Sequence, residues 1–196
     1  MKKTLSMLLA GAMLAAALSG CGSSASTGSG SADSSSDSFA SGAAFKLGGT
    51  GPLTGANAIY GNACKNGAQI AVDEINAEGG DIQFELNYQD DEHDAEKAVN
   101  AYNTLKDWGM QLSLGSVTSK PCEATAAENY SDRIFALTPS ASTVAVTADK
   151  DNVFQMCFVD PNQGTASAQY IAVQKLGTKI AVIWKNGDVY STGIHG

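Results

Sequence analysis

Gly48, Gly49, Gly51 and Gly55 close an apolar run and precede a helical pattern. A glycine-rich turn between a strand and a helix is a place where proteins hold phosphate. The spacing argues against a nucleotide. A dinucleotide fingerprint counted from Gly49 meets Gly51 and then Thr54 where its third glycine should stand, and Pro52 removes a backbone N–H from the cradle. No Gly-Lys-Ser/Thr follows, so a Walker A loop is excluded as well. The acidic stretch "QDDEHD" at 89–94 surrounds His93 with Asp90, Asp91, Glu92 and Asp94, but it lacks the glycine of an EF-hand loop and reads as a strand-to-helix turn. No G-x-S-x-G elbow is present, and neither histidine stands in the setting of a triad, so an enzyme is not expected. No metal or other cofactor is expected either.

Hydroxyls near helix starts are better placed for chemistry. "SVTSKP" delivers Ser119 two residues before Pro121, and Pro121 suits a helix's first turn because its missing N–H is not needed there. "LTPSAST" sets Ser140 and Ser142 just beyond a strand end. A helix N-terminus offers unpaired N–H groups and partial positive charge, and hydroxyls add donors, so such a place holds a carboxylate without a titrating partner. The same serines would equally serve as caps of helices and turns.

The elements that must position these groups alternate from Phe45 onward. "FKLGGT", "IQFELNYQ", "MQLSLG" and "RIFALTP" read as strands. Helical patterns lie between them: 62–78 with Ala68, Ala71, Val72 and Ile75 on one stripe, a second capped by Asp94 and running to about Trp108 with Ala98, Tyr102 and Leu105, and a third from Pro121 to about Asp132. "EGG" ends the first helix. This alternation predicts an α/β fold with a doubly wound parallel sheet. Ligands bind such sheets at the carboxyl ends of the strands. After Pro139 the rhythm restarts, with "NVFQMCF" as a strand, Asn162 to Leu176 as a helix and "KIAVIW" as another strand. That is too little to cover both faces of a second sheet, so residues 151–196 read as the start of a second α/β lobe, in a chain that is truncated or part of a longer one.

The N-terminus is an address. Lys2 and Lys3 precede an uncharged run from Leu5 to Leu18, too short for a comfortable membrane span and shaped like a signal peptide. It ends in "LSGC", which resembles the lipobox of bacterial lipoproteins, cut before a cysteine that is then lipidated; that cysteine is Cys21. Gly22 to Ala44, mostly Ser, Gly and Ala, reads as a flexible tether. The division is therefore 1–20 signal, 21–44 lipidated Cys21 and tether, 45–150 first lobe, 151–196 second. The expected location is the extracytoplasmic side of the cell membrane, in a periplasm or at a cell surface. Cutting before Cys21 takes the net charge from −8 to −10, and the scattered basic residues give nucleic acid nothing to bind. Cys64, Cys122 and Cys157 remain, none in a CxxC pair. Zinc is not expected, and Cys64 with Cys122 is the pair to test for a disulfide.

The segments "LGGTGPLTGANAIYGNACKNGAQIAVDEINAEGG" (47–80), "YQDDEHDAEKAVNAYNTL", "LGSVTS" (114–119), "LTPSAST" (137–143), "DPNQG" (160–164) and "GDVYSTG" (187–193) together resemble the branched-chain amino-acid type of solute-binding proteins that serve ABC importers. The resemblance runs from Phe45 to the end of the sequence. It implies a type I periplasmic-binding-protein fold of two lobes around a hinge, closing on a small amino-acid-like ligand that is passed to an importer permease. Ser119 and Ser142 match the family's carboxylate-binding hydroxyls, and Ser140 falls where the family uses a backbone contact. Tyr60, placed in the loop before the first helix, matches a residue against the ligand side chain. Tyr190 matches the tyrosine of the second-lobe turn that closes over it. Alternatives of other classes are a membrane sensor built on the same fold and a non-functional remnant.

Overall fold

A computed structural model describes residues 44–196. The expectations for the signal peptide, Cys21 and the tether up to residue 43 lie outside the described residues. Five parallel strands, β1 (Phe45–Gly51), β2 (Phe84–Asp90), β3 (Leu112–Ser116), β4 (Phe135–Thr138) and β5 (Val153–Gln155), form one sheet in the order β2-β1-β3-β4-β5. The connecting helices are α1 (Ala58–Ala77), α2 (Ala95–Asp107) and α3 (Ser119–Asp132). α4 (Asp160–Val173) and α5 (Val189–His195) follow β5. The expected α/β sheet is present. Strand order reverses at β1, so right-handed crossovers send α1 to one face and α2 and α3, which touch each other, to the opposite one.

The glycines of β1 have a packing cause. A Cβ on Gly49 would lie 2.7 Å from the Tyr88 ring, and one on Gly51 2.8 Å from Val117. One on Gly48 would overlap the Met110 sulfur. Neighbouring side chains lie flat on the central strand, and only glycine leaves them room.

α2 forms as its sequence dictates. Asp94, extended at φ −115°, accepts from the Lys97 N–H at 2.9 Å and caps the helix. Its stripe Ala98, Tyr102 and Leu105 is buried, and Tyr102, Leu105 and Met110 make one core cluster with Trp108 and Ile134 against it. Burying one such apolar side chain stabilises by about 1.5–3 kcal/mol. At its rim Asp132 accepts from the Tyr102 hydroxyl at 2.9 Å and the Lys106 ammonium at 2.6 Å, which ties α2 to α3. These two donors, Lys106 foremost, hold the Asp132 carboxyl below its ordinary range. A second cluster joins Cys122 and Ala126 of α3 to Ala136, Ala141, Val146 and Val153.

Several expectations are corrected. The α1 stripe does not seal its face: Val72 is buried, whereas Ala71 and Ile75 are exposed, because no second helix lies beside α1 among the described residues. α1 also begins at Ala58, so Tyr60 belongs to its first turn and not to the preceding loop. The "NVFQMCF" strand shortens to β5 and pairs with β4, so the first sheet runs past the expected boundary at residue 150. "KIAVIW" forms no strand; with no neighbouring strand to pair with among the described residues, it stays irregular and Ile183 is 97% exposed. Cys64, Cys122 and Cys157 are all free thiols, so the Cys64–Cys122 bridge is not formed. Among the described residues no helix is long and apolar enough to cross a membrane.

Candidate ligand-binding site

The carboxyl ends of β1, β3 and β4 open onto a cavity of about 510 Å³. All five serines and tyrosines singled out in the sequence line it: Tyr60, Ser119, Ser140, Ser142 and Tyr190. They come from α1, α3, the turn after β4, and α5, four stretches that only the fold brings together.

Ser119 is the first residue of α3 and is 5% exposed. Thr118, at the N-cap, makes no side-chain cap; its hydroxyl is 2.9 Å from His93 Nδ1 instead. The first-turn N–H groups of α3 are therefore left without the hydroxyl that would ordinarily satisfy one of them. Ser119 Oγ accepts from the Ser142 N–H at 3.3 Å, which leaves its own proton free to donate. Ser142 is 2% exposed and stands against Asp160, itself 1% exposed, whose N–H donates to the Ser142 carbonyl at 2.9 Å; burial pushes the Asp160 carboxyl above its ordinary range and the Ser142 hydroxyl pulls it partly back. Ser140 is exposed, and its carbonyl accepts from the Cys157 thiol at 3.3 Å.

The floor beneath these groups is a chain of hydroxyls. Thr50 Oγ1 meets Ser116 Oγ, Ser116 Oγ lies 3.1 Å from Thr125 Oγ1, and Thr138 Oγ1 donates to the Ser116 carbonyl at 2.7 Å. All four residues are buried, so their mutual bonds fix where β1, β3 and β4 end relative to α3.

A profile of the periplasmic binding protein family matches residues 44–195. The chain belongs to that family.

Among this periplasmic binding protein's relatives, a Leu/Ile/Val-binding protein of Rhizobium johnstonii is 33% identical over 76% of this chain and 41% of its own length. A Leu/Ile/Val-binding protein homolog of Brucella melitensis is 32% identical over 76% of this chain and 41% of its own. The branched-chain amino acid transporter substrate-binding protein LivJ of Streptococcus pneumoniae, solved in complex with isoleucine, superposes with a TM-score of 0.74 at 29% identity, over 78% of this chain and 45% of that one. A leucine-binding protein LivK of Thermotoga maritima gives 0.70 at 25% identity over 77% and 43%. The chain thus spans about two fifths of the length of the curated relatives it matches.

The periplasmic binding protein's cavity also holds residues that sequence reasoning missed. His93 is one: it sits with Glu92 in a left-handed turn (φ 62° and 49°), which aims its ring at Thr118 and brings Nε2 to 3.9 Å from Asp188 of the second region. Asp188 caps α5 by accepting from the Ser191 N–H at 2.9 Å. Burial works against its charge, but Ser191, Lys185 and His93 outweigh it and hold the carboxyl below its ordinary range. Asn57, Lys120, Cys157, Phe158, Gln163 and Lys185 complete much of the lining, and the Tyr190 hydroxyl donates to Gln163 Oε1 at 3.2 Å. The advance signal for Asn57, His93, Gln163 and Asp188 was only that they fall inside the segments that carry the resemblance.

The acids of "QDDEHD" are occupied. Asp90 accepts from the Leu53 N–H at 2.8 Å and the Thr54 hydroxyl at 2.6 Å, pinning the glycine turn. Asp91 accepts from the His93 N–H at 2.9 Å, Asp94 caps α2, and Glu92 pairs with Lys97 at 2.6 Å. Among the described residues no group of His, Cys, Asp and Glu is arranged to hold a metal.

Proposed function

We propose that this chain is the ligand-binding part of an extracytoplasmic solute-binding lipoprotein that delivers an amino acid, branched-chain or otherwise apolar, to an ABC importer. The observation that carries the reading is the uncapped first turn of α3, which opens on the cavity with the Ser119 hydroxyl proton free beside it. In this reading the ligand's α-carboxylate accepts from Ser119 Oγ, Ser142 Oγ and the α3 amides, where the helix dipole favours negative charge. Ser140 contributes through its backbone, and the Tyr60 and Tyr190 rings flank the ligand side chain. Residues after β5 act as the beginning of the second lobe and close on the first about a hinge. The Leu/Ile/Val-binding relatives and the isoleucine complex of the pneumococcal LivJ support an amino acid of this class.

A titration followed by NMR tests it. L-isoleucine is expected to shift the backbone resonances of Ser119, Lys120 and Ser142, while the corresponding amine without a carboxylate leaves them in place. Equal shifts from both compounds would remove the carboxylate from the reading.

Lipid anchoring through Cys21 is the second part of the proposal, supported by "LSGC" followed by a Ser/Gly-rich tether. Cys21→Ser is expected to move the protein from the membrane fraction to the periplasm or medium. If the variant still sediments with membranes, the anchor lies elsewhere.

A further inference from the structure

Asp160 opens α4 and is 1% exposed, although a carboxylate is ordinarily a surface group. Two neighbours seal it. Its N–H donates to the Ser142 carbonyl at 2.9 Å, and the Ser142 hydroxyl stands against its carboxyl. On the other side lies Gly193 of α5, where an added Cβ would come 2.7 Å from both Asp160 Cβ and Oδ2. The remaining groups around it supply no compensating charge. Gln163 Nε2, one turn along α4, is 3.5 Å from Oδ1, Asp188 of α5 adds a second negative charge, and the Cys157 thiol beyond β5 faces the carboxyl. Lys120, Lys185 and His93 line the same cavity, yet among the described residues no cationic side chain forms an ion pair with Asp160. Burial, to which Asp188 adds, outweighs the Ser142 hydroxyl, so the carboxyl takes up its proton above the usual carboxylate range.

We propose that Asp160 is a positioning residue that decides where the Ser142 hydroxyl proton points, so that the ligand's carboxylate is bound together with one proton. The inference rests on this cavity being the amino-acid site. An ionised carboxyl is an acceptor only, so Ser142 must donate to Asp160 and presents oxygen lone pairs to whatever enters the cavity. A ligand carboxylate is then repelled by those lone pairs and by the buried charge behind them. A protonated carboxyl reverses the bond. Its O–H donates to Ser142 Oγ, and the Ser142 hydroxyl proton is released to donate to the ligand carboxylate beside Ser119. The proton on Asp160 comes from solvent as the ligand enters and returns to solvent as it leaves. Ser142 keeps its place throughout, because its N–H donates to Ser119 Oγ and its carbonyl accepts from the Asp160 N–H in both states.

The test is calorimetry of L-isoleucine binding to the full chain at neutral and mildly acidic pH, in pairs of buffers that differ in ionisation enthalpy and so report protons taken up. Proton uptake is expected on binding. Affinity should rise as pH falls through the Asp160 titration, by at most about tenfold per pH unit, the limit for one linked proton. Asp160→Asn keeps the shape and a donor toward Ser142 without the charge. It should bind at neutral pH at least as tightly as the wild type, with neither the uptake nor the slope. A variant that keeps the full slope would overturn the inference and assign the proton to another group, such as His93. Wild-type binding with flat affinity and no uptake would overturn it as well. If Asp160→Asn does not fold, the Asp160 carboxyl-carbon resonance of the wild-type chain decides. Its titration midpoint should move to higher pH when L-isoleucine is added, and a midpoint that stays or falls would overturn the inference. A chain that binds no L-isoleucine at any pH would overturn the proposed function, and this inference with it.

Discussion

Replacing Ser119 with alanine is expected to weaken amino-acid binding roughly 10- to 150-fold, the equivalent of about 1.5–3 kcal/mol for a hydrogen bond to a charged partner. Ser119 Oγ already accepts from the Ser142 N–H, so its proton is directed to whatever lies in the cavity. Among the described residues no acceptor receives that proton. The variant also strips the Ser142 N–H of its acceptor, a lesser loss of about 1 kcal/mol that appears as a lower melting temperature. Affinity and melting temperature measured on the one variant separate the two effects. Calorimetry giving the alanine variant wild-type affinity would leave Ser119 with only its role of bracing the turn at Ser142.

The same substitution at two glycines of α1 is expected to act with opposite sign. Gly61 is buried against the turn after β1, where an added Cβ would overlap the Pro52 carbonyl oxygen and lie 2.6 Å from its carbon. Backbone stands in the way, so no side chain can swing aside. Gly61→Ala must push the start of α1 off the sheet, at a cost of about 2–3 kcal/mol, or roughly 4–12 °C in Tm. Tyr60 and Asn57 line the cavity from that same stretch, so ligand affinity should fall as well. Gly67, two turns further on, has nothing within 4 Å of an added Cβ. There Gly→Ala only improves helix propensity and restricts the unfolded chain, a gain of up to about 1 kcal/mol. Thermal melts of the two variants check both signs. A destabilised Gly67→Ala would mean that α1 meets something at that face in solution.

Local chemistry was legible from the residues. Asp94 caps α2 because a carboxylate before a helical pattern has a nearby N–H to satisfy, and Pro121 sits in the first turn of α3 because it needs no acceptor there. The alternation of strand and helix was enough to fix a parallel sheet, and with it the end of the sheet where Ser119, Ser140 and Ser142 would stand. The buried stripe of α2 was legible because its face meets the sheet and α3. The stripe read on α1 was not a guide, because hydrophobic periodicity says which face is apolar and not whether anything covers it.

What only the tertiary structure decided concerns contacts between distant residues. The glycines of β1 are packing glycines because Tyr88, Val117 and Met110 lie on that strand, and none of the three is near it in sequence. β5 joins the first sheet because β4 offers it an open edge, a fact of pairing that its own apolar residues do not encode. "KIAVIW" has the composition of a strand yet forms none, since a strand is made by its partner's hydrogen bonds and not by propensity alone. His93 enters the cavity for the same kind of reason. Its left-handed backbone and the Thr118 hydroxyl 25 residues away aim the ring, and nothing in the surrounding "QDDEHD" states that direction.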